Sequence, residues 1–192
     1  MKTLLGLIGP AGCGKDSISD LLKIEGFRRT ASADVMKDDL CRYLQIDRLT
    51  LESHKNKDLD VVEHNPYMDG HLVFNLSIRR FIQEYGMDMR NRHGDDYWIN
   101  LSVKSMVDDH DKIVVTDIRF QNEWDYVKRN GGFIIYISGR STLTDVDQIN
   151  HITEHLSNDP NSPTKADYVL DNSGTLKDLQ SNVKSLMDII NE

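Results

Sequence analysis

The chain has 192 residues, of which 39% are hydrophobic and 28% are charged, as in an ordinary soluble globular domain. Its 31 acidic residues outnumber its 23 Lys and Arg residues, which gives a formal net charge of −8 at pH 7. This charge excludes a protein that coats nucleic acid or an anionic membrane through bulk electrostatic attraction. The length predicts a single continuous domain.

The two cysteines, Cys13 and Cys41, lack the C-x-x-C spacing of a zinc site and provide little for a disulfide framework. They predict a protein of a reducing compartment. The apolar run at the N-terminus stops at Pro10, and no stretch approaches the roughly 20 apolar residues that span a bilayer. We therefore expect a cytoplasmic protein with no membrane partner.

In chain order, short apolar runs alternate with segments of helical periodicity, a pattern typical of βαβ units around a parallel sheet. The apolar runs predict strands at residues 4–8, 27–30, 113–117, 133–137 and 168–170. Apolar residues spaced three or four apart predict helices at residues 15–25, 33–44 after an N-cap at Ser32, 77–90, 96–109, 122–129 and 176–190.

Two polar stretches interrupt this pattern. Residues 45–75 carry charges, three histidines and an Asn-Pro turn, which predict an insertion or flexible lobe outside the core. Residues 138–165 are polar and contain Pro160 and Pro163, which predict a mobile excursion. The remaining elements predict an α/β fold with a five-stranded parallel sheet flanked by helices.

The first predicted strand runs directly into a glycine-rich loop. Residues 9–16 read Gly-Pro-Ala-Gly-Cys-Gly-Lys-Asp, which fits the G-x-x-x-x-G-K pattern of a phosphate-binding loop between a strand and a helix. Glycines let backbone amides turn toward a phosphate, the helix presents its N-terminal amides, and Lys15 can reach the terminal phosphates of ATP. The predicted ATP-binding residues are Gly9, Ala11, Gly12, Cys13, Gly14, Lys15, Asp16 and Ser17.

Oxygen ligands for Mg²⁺ are predicted beside this loop. Asp16 stands where the motif carries Ser or Thr, so either its carboxylate or the hydroxyl of Ser17 could hold the metal. The sequence does not choose between them. Asp117 ends the clearest buried strand, where a second carboxylate could hold metal-bound water, orient a substrate or simply cap a turn.

A phosphate-binding loop does not by itself separate a kinase from a GTPase. The N-K-x-D motif that GTPases use to read their base has one near match, residues 56–59, which has Leu at its fourth position and precedes the strand of Asp117. The chain instead carries arginines in turn-like places, as a small kinase needs for its acceptor phosphate and for the phosphoryl group in flight. These arginines are Arg79, Arg90, Arg119 and Arg140.

Six ordered segments carry a family resemblance. The sharpest is residues 117–123, Asp-Ile-Arg-Phe-Gln-Asn-Glu, and the others are residues 9–16, 31–37, 79–88 followed by 95–98, 151–154 and 171–176. Together they resemble the bacteriophage-type deoxynucleoside monophosphate kinases of the nucleoside monophosphate kinase superfamily. The sharpest segment matches the D-V-R-F-x-N-E of that family, while residues 79–88 depart from it at Ile82, Met87 and Asp88.

The resemblance implies a P-loop kinase that uses ATP and Mg²⁺ to phosphorylate a deoxynucleoside monophosphate. We expect a core of residues 1–33, 99–138 and 166–192, a substrate-binding lobe at about 34–98 and a lid at about 139–165. Catalytic roles fall on Lys15, Asp117, Arg119 and Arg140, and Asn172 joins the residues that bind ATP. Acceptor-binding roles fall on Asp34, Lys37, Arg79, Gln83, Arg90, Asp96, Trp98 and Glu154.

Several alternatives stay open at this point. Trp98 could be a plain core residue, because aromatic side chains pack more often than they stack on a base. The chain could be a dephospho-coenzyme A kinase, which phosphorylates a ribose hydroxyl, or a nucleotide-binding regulatory module that transfers nothing. We expect no stable binding of nucleic acid, allow for a homodimer, and expect the host cytoplasm if the chain is of phage origin. The sequence does not predict which bases are accepted.

Overall fold

The computed structural model describes residues 2–56, 78–139, 156 and 159–191. The strands are β1 (Thr3–Ile8), β2 (Arg28–Thr30), β3 (Lys112–Val115), β4 (Phe133–Gly139) and β5 (Tyr168–Asn172). The helices of this part of the chain are α1 (Lys15–Ile24), α2 (Ser32–Leu44), α3 (Arg48–Asn56), α4 (Ile78–His93), α5 (Tyr97–Val107), α6 (Gln121–Arg129), α7 (Ser162–Lys165) and α8 (Leu176–Ile190).

The chain divides into two compact units, the first made of Met1–Ala31 and Ser102–Glu192 and the second of Ser32–Leu101. The first unit contains the whole sheet, whose five parallel strands lie in the order β2-β3-β1-β4-β5. The central strand β1 pairs Gly6 with Val115 of β3 and with Ile134 of β4. The predicted α/β fold with a five-stranded parallel sheet is therefore confirmed.

Helices α1 and α8 pack their apolar residues on the sheet of the first unit. Ile18 and Leu22 of α1 share a core cluster with Leu179 and Val183 of α8 and with Leu5 of β1. Each of these side chains is at most 3% exposed, and such burial contributes roughly 1.5–3 kcal/mol per side chain. Their spacing of three or four residues is what makes both helices amphipathic.

The turn between α6 and β4 requires two consecutive glycines. Gly131 adopts φ 73°, the left-handed conformation that ends many helices. A Cβ on the next residue, Gly132, would lie 2.5 Å from the backbone oxygen of Leu4. The Gly-Gly pair thus lets the chain turn and start β4 directly against β1.

The described part of the second unit consists of α2, α3, α4 and the first part of α5, up to Leu101. Its core contains Leu40, Leu51, Phe81, Tyr85 and Trp98, all at most 4% exposed. Helix α2 begins at Ser32 itself, one residue before the predicted start. The bounds of this unit are close to those of the predicted substrate-binding lobe.

The prediction that residues 45–75 lie outside the core is wrong for their first part. Helix α3 occupies Arg48–Asn56, and its Leu51 has no exposed surface. Polar residues made this helix hard to recognise, but one of them stabilises its start. Oδ1 of Asp47 accepts a hydrogen bond from the Thr50 N–H at 2.7 Å and so caps the helix. Residues 57–77 lie outside the described part of the chain.

Only the ends of the predicted mobile excursion at 138–165 are described. Strand β4 runs on to Gly139, and the one-turn helix α7 starts at Ser162, whose side chain is fully buried. Residues 140–155, 157 and 158 are outside the description, so most of the lid expected at about 139–165 is as well. No helix in the described part of the chain is long and apolar enough to cross a membrane.

A reciprocal cap at the start of α8 gives a prediction for stability. Thr175 Oγ1 accepts from the Asp178 N–H, and Asp178 Oδ2 accepts from the Thr175 N–H at 2.8 Å and its hydroxyl at 2.7 Å. These bonds hold the pKa of Asp178 below its ordinary value of 3.8. The stability they add is therefore present above pH 3.8 and is lost as pH falls through the lower, folded-state pKa.

We expect Thr175→Ala to lower the thermal midpoint at pH 7 by about 2–4 °C, the scale of one lost N-cap in a domain of this size. The difference from the wild type should shrink at pH 3, below the ordinary pKa of 3.8, because protonation of Asp178 in the unfolded chain then removes part of this stability. Thermal melts at both pH values measure this, with Ser185→Ala in α8 as the control, since Ser185 only donates to the carbonyl of Ser181. An equal loss at both pH values would contradict the role of the carboxylate.

Candidate active site

The loop after β1 has a shape that only glycine permits at two of its positions. Gly9 and Gly14 adopt φ values of 154° and 99°. A Cβ at Gly9 would lie 2.6 Å from the backbone oxygen of Ile137, and one at Gly14 would lie 2.1 Å from Nδ2 of Asn172. Helix α1 starts directly afterwards at Lys15, so its unsatisfied N-terminal amides open onto the loop. This is the geometry of an anion-binding loop.

The side chain of Lys15 folds back over this loop. Its Nζ donates to the carbonyl oxygens of Gly9 at 2.6 Å and Pro10 at 2.9 Å, and lies 3.6 Å from Sγ of Cys13. A positive charge therefore sits among neutral carbonyl dipoles at the loop. This is the charge that phosphates of a nucleotide would meet.

The side chain of Cys13 anchors the loop in the hydrophobic core. The side chain is 1% exposed, and burial raises the pKa of its thiol, a rise that the Lys15 ammonium only partly opposes. Cys13 is therefore a neutral packing residue at physiological pH rather than a reactive thiolate. Any contact of Cys13 with a phosphate would come from its backbone N–H.

Asn172 ties the loop to the far side of the sheet. It is the last residue of β5, beside Gly139 of β4, and its Nδ2 donates to the carbonyl oxygen of Cys13 at 2.9 Å. The same Nδ2 occupies the space that a side chain at Gly14 would need. The structure thus places Asn172, which was predicted to bind ATP, as a brace of the glycine-rich loop.

Asp117 lies at the same edge of the sheet, just after β3. The Thr116 N–H donates to the carbonyl of Thr30 at 3.0 Å, and the Ile118 N–H donates to that of Leu7 at 3.3 Å. These bonds hold Asp117, which is half-buried, between the carboxyl ends of β1 and β2. A ligand of a parallel α/β sheet binds at this edge.

Glu123 fixes the turn that carries Asp117 and Arg119. It is 3% exposed, and its Oε2 accepts from the backbone N–H of Arg119 at 2.8 Å and of Phe120 at 3.2 Å. These are N–H groups at the start of α6 that the helix itself cannot satisfy. The last residue of the 117–123 motif therefore has a structural role, which the sequence analysis did not assign.

The oxygen donors predicted for Mg²⁺ lie along this edge. Asp16 and Ser17 are exposed in the first turn of α1, and Asp117 follows β3. The described part of the chain contains no group of three or more His, Cys, Asp or Glu side chains that could hold a metal ion by themselves. These donors fit Mg²⁺, which usually takes one or two protein ligands and completes its shell with phosphate and water.

Two residues predicted to bind the acceptor, Asp34 and Lys37, lie on α2 in the second unit. Each is held by an ion pair to α3, Asp34 by Arg48 at 2.8 Å and Lys37 by Glu52 at 2.6 Å. Arg48 and Glu52 were missed because residues 45–75 were interpreted as a polar insertion. The i,i+4 spacing of Arg48 and Glu52 after the capping Asp47 was the available signal.

Two further predicted acceptor residues of this unit, Arg90 and Trp98, are buried. Arg90 is 7% exposed and lies 3.4 Å from the carboxylate of Asp95. Trp98 is 4% exposed and donates from Nε1 to the carbonyl of Gly86 at 2.9 Å, which favours its alternative role as a core residue. Gln83 on α4 and Asp96 before α5 are half-buried.

Three predicted site residues cannot be placed. Arg140 and Glu154 lie outside the described residues. Arg79 lies in the first turn of α4, and its side chain is also outside the description. Their predicted roles stay predictions.

A protein family model described as deoxynucleotide monophosphate kinase matches residues 26–183. A protein of Acanthamoeba polyphaga mimivirus, named "Putative deoxynucleotide monophosphate kinase", is 24% identical over 201 residues, which cover 96% of each chain.

Two solved structures show the same fold. Protein TT1252 from Thermus thermophilus has a TM-score of 0.58 and 15% identity, and the match covers 98% of each chain. Shikimate kinase from Acinetobacter baumannii, in complex with shikimate, has a TM-score of 0.54 and 14% identity, and the match covers 100% of this chain and 94% of that one.

The fold and the loop after β1 define a parallel α/β protein with a glycine-rich loop of anion-binding geometry between its central strand and the first helix. The family model spans most of the chain, so the chain belongs to the deoxynucleotide monophosphate kinase family. A member of this family is a nucleotide kinase, and the family resemblance found in the sequence is confirmed.

The brace formed by Asn172 gives a prediction for nucleotide binding. We expect Asn172→Ala to weaken ATP binding by on the order of tenfold, because the Cys13 carbonyl loses its donor and the loop is no longer held in its binding geometry. Calorimetric titration with ATP and Mg²⁺ measures the change.

A matched control lies on helix α8 and bonds to the same strand, β5. Asn182 donates from its Nδ2 to the carbonyl of Asp171 at 2.9 Å, the same kind of bond one residue away from Asn172, but it does not touch the loop. Asn182→Ala should leave ATP affinity within about twofold of the wild type. Equal losses in both variants would mean that β5 matters only for stability.

Proposed function

We propose that the protein transfers the γ-phosphoryl group of ATP to a deoxynucleoside monophosphate and so produces the diphosphate. The observation that carries the proposal is the loop of residues 9–14, with its left-handed glycines, its brace from Asn172 and the Lys15 ammonium folded over it. Family membership supports the acceptor class. An oxygen of the acceptor phosphate bonds to the γ-phosphorus while the bond to the bridging oxygen of ATP breaks, and ADP leaves.

The donor side of the reaction uses residues of the first unit. Backbone amides of the loop and of the first turn of α1 would bind the phosphates of ATP, and Lys15 would neutralise the β- and γ-phosphates. Either Asp16 or Ser17, together with Asp117, would hold Mg²⁺, which when bound supplies further neutralisation of phosphate charge. Phosphoryl transfer needs little covalent help, so positioning and charge account for most of the catalysis.

Arg119 is the described arginine best supported as a partner of the phosphoryl group in flight. Its backbone is fixed by the buried Glu123 carboxylate, and it lies two residues from Asp117 at the ligand-binding edge of the sheet. A planar guanidinium matches the geometry of phosphate oxygens and stays charged at any physiological pH. Arg140 would share this role.

The acceptor would be held by residues of the second unit. Lys37 and Arg79 would bind its phosphate, with Arg90 as a further cation of α4. Asp34, Gln83 and Asp96 offer polar groups for the base and sugar, and Glu154 would be a further acceptor contact. Trp98 would support this side of the site from the core of the unit. Preference for a deoxyribose requires side chains that leave neither space nor a hydrogen-bond partner for a 2′-hydroxyl.

We expect Lys15→Ala to abolish turnover, with a loss of at least about a thousandfold in kcat, while the fold is retained. The Lys15 ammonium donates to carbonyls of its own loop, so its removal should weaken nucleotide binding and catalysis more than it lowers the stability of the core. Lys23→Ala, which removes an exposed lysine of the same helix, is the control. Activity close to that of the wild type, or unfolding without nucleotide, would contradict this role of Lys15.

An acceptor panel tests the proposed reaction. ATP consumption is measured with each deoxynucleoside monophosphate, its ribonucleotide counterpart and dephospho-coenzyme A. We expect the deoxynucleotides to react faster than the ribonucleotides. Equal rates would remove the preference for deoxyribose, activity with dephospho-coenzyme A alone would replace the assignment, and ATP binding without transfer to any acceptor would leave a nucleotide-binding module.

A further inference from the structure

An ion network joins α2 to α3 within the second unit. The Arg48 guanidinium donates to the carboxylate of Asp34 at 2.8 Å, to its backbone carbonyl at 3.1 Å and to the carboxylate of Asp38. Its Nε lies 3.4 Å from Oε1 of Glu52, and the same oxygen accepts from Nζ of Lys37 at 2.6 Å. One arginine and one glutamate therefore connect Asp34 and Lys37.

The network is partly shielded from solvent, which strengthens it. The Lys37 side chain is 15% exposed, and those of Arg48 and Glu52 are 31% and 32% exposed. Burial by itself would lower the pKa of Arg48, but the carboxylates of Asp38 and Asp34 outweigh it, so the pKa is raised. Ion pairs of this kind are screened less by salt than fully exposed pairs.

Holding Lys37 in advance lowers the entropy that is lost when a phosphate binds. A lysine side chain is long and flexible, and its ordering on binding weakens affinity. An ammonium has three N–H donors, and Glu52 accepts one of them, so Lys37 keeps donors for an anion while its position is fixed.

We propose that Arg48 and Glu52 are positioning residues for the acceptor phosphate. Glu52 holds the Lys37 ammonium, and the planar fork of Arg48 holds Glu52 and Asp34 together. The inference rests on the proposed function, because Lys37 and Asp34 are assigned there to the acceptor. Neither Arg48 nor Glu52 needs to touch the substrate.

The variant Glu52→Ala separates a positioning role of Glu52 from a purely electrostatic one, because the two roles predict opposite changes in acceptor affinity. Removing the negative charge of Glu52 would strengthen the attraction of the site for a dianionic phosphate if Glu52 acted only through its charge. If Glu52 positions Lys37, its removal weakens acceptor binding in spite of that gain. We expect Glu52→Ala to raise the KM for the deoxynucleoside monophosphate about tenfold, with kcat and the KM for ATP within twofold of the wild type.

The conservative variant and a matched control complete the experiment. Glu52→Gln keeps an oxygen that accepts from Lys37, so its acceptor KM should lie between those of the wild type and Glu52→Ala. Glu84→Ala removes one negative charge from the same unit and breaks an i,i+4 pair to Arg80. The exposed fraction of the Glu84 side chain, 29%, is similar to the 32% of Glu52. This control should leave the acceptor KM unchanged.

Arg48→Ala should raise the acceptor KM by a similar factor. The double variant Arg48→Ala, Glu52→Ala should raise the acceptor KM by less than the product of the two single effects, because both residues act on Lys37 through one network.

An acceptor KM that falls or stays constant in Glu52→Ala overturns the inference. So does a parallel loss of kcat and of both substrate affinities with a lower melting temperature. If the wild type phosphorylates no nucleoside monophosphate, the proposed function itself fails.

Discussion

The shape of the phosphate-binding loop depends on the register of β4 and β5. Gly9 is pressed against the backbone of Ile137 in β4, and Gly14 is pressed against Asn172 at the end of β5, which also donates to the loop carbonyl of Cys13. A shift of β5 by one residue would turn Asn172 to the other face of the sheet. The loop is therefore positioned by the sheet edge beside it and not by its glycines alone.

The sheet could be predicted from the sequence because parallel strands covered on both faces leave continuous apolar runs. The motif residues at the loop and after β3 were found because they follow two such runs. Helix α3 could not be recognised in the same way, since its charges suggested a solvated stretch and, among its side chains that the structure describes (residues 48–53), only that of Leu51 is buried. Its partners for Asp34 and Lys37 lie 14 and 15 residues away along the chain, beyond any local pattern.

Glu123 shows how a motif can be found without its roles being understood. The resemblance singled out residues 117–123 as a functional segment, and a carboxylate there could have been assigned to metal or substrate. The structure instead buries Glu123 against two backbone N–H groups. A buried carboxylate needs such donors, and here they also fix the turn of Asp117 and Arg119. Sequence identifies the segment, whereas burial separates its supporting residues from those that face a ligand.

An acidic protein must still bind two anionic nucleotides, and the partners of its cations show how this is compatible with a net charge of −8. Lys15 donates to neutral carbonyls, and a phosphate that replaces them forms charge-assisted bonds that are about twice as strong as neutral ones. Lys37 is held by a full negative charge, so replacing Glu52 would be far less favourable. In the proposed reaction, the loop would exchange its internal bonds for the phosphates of ATP, whereas an acceptor phosphate would have to add to an ion pair that stays formed. The position of that pair would then determine acceptor affinity.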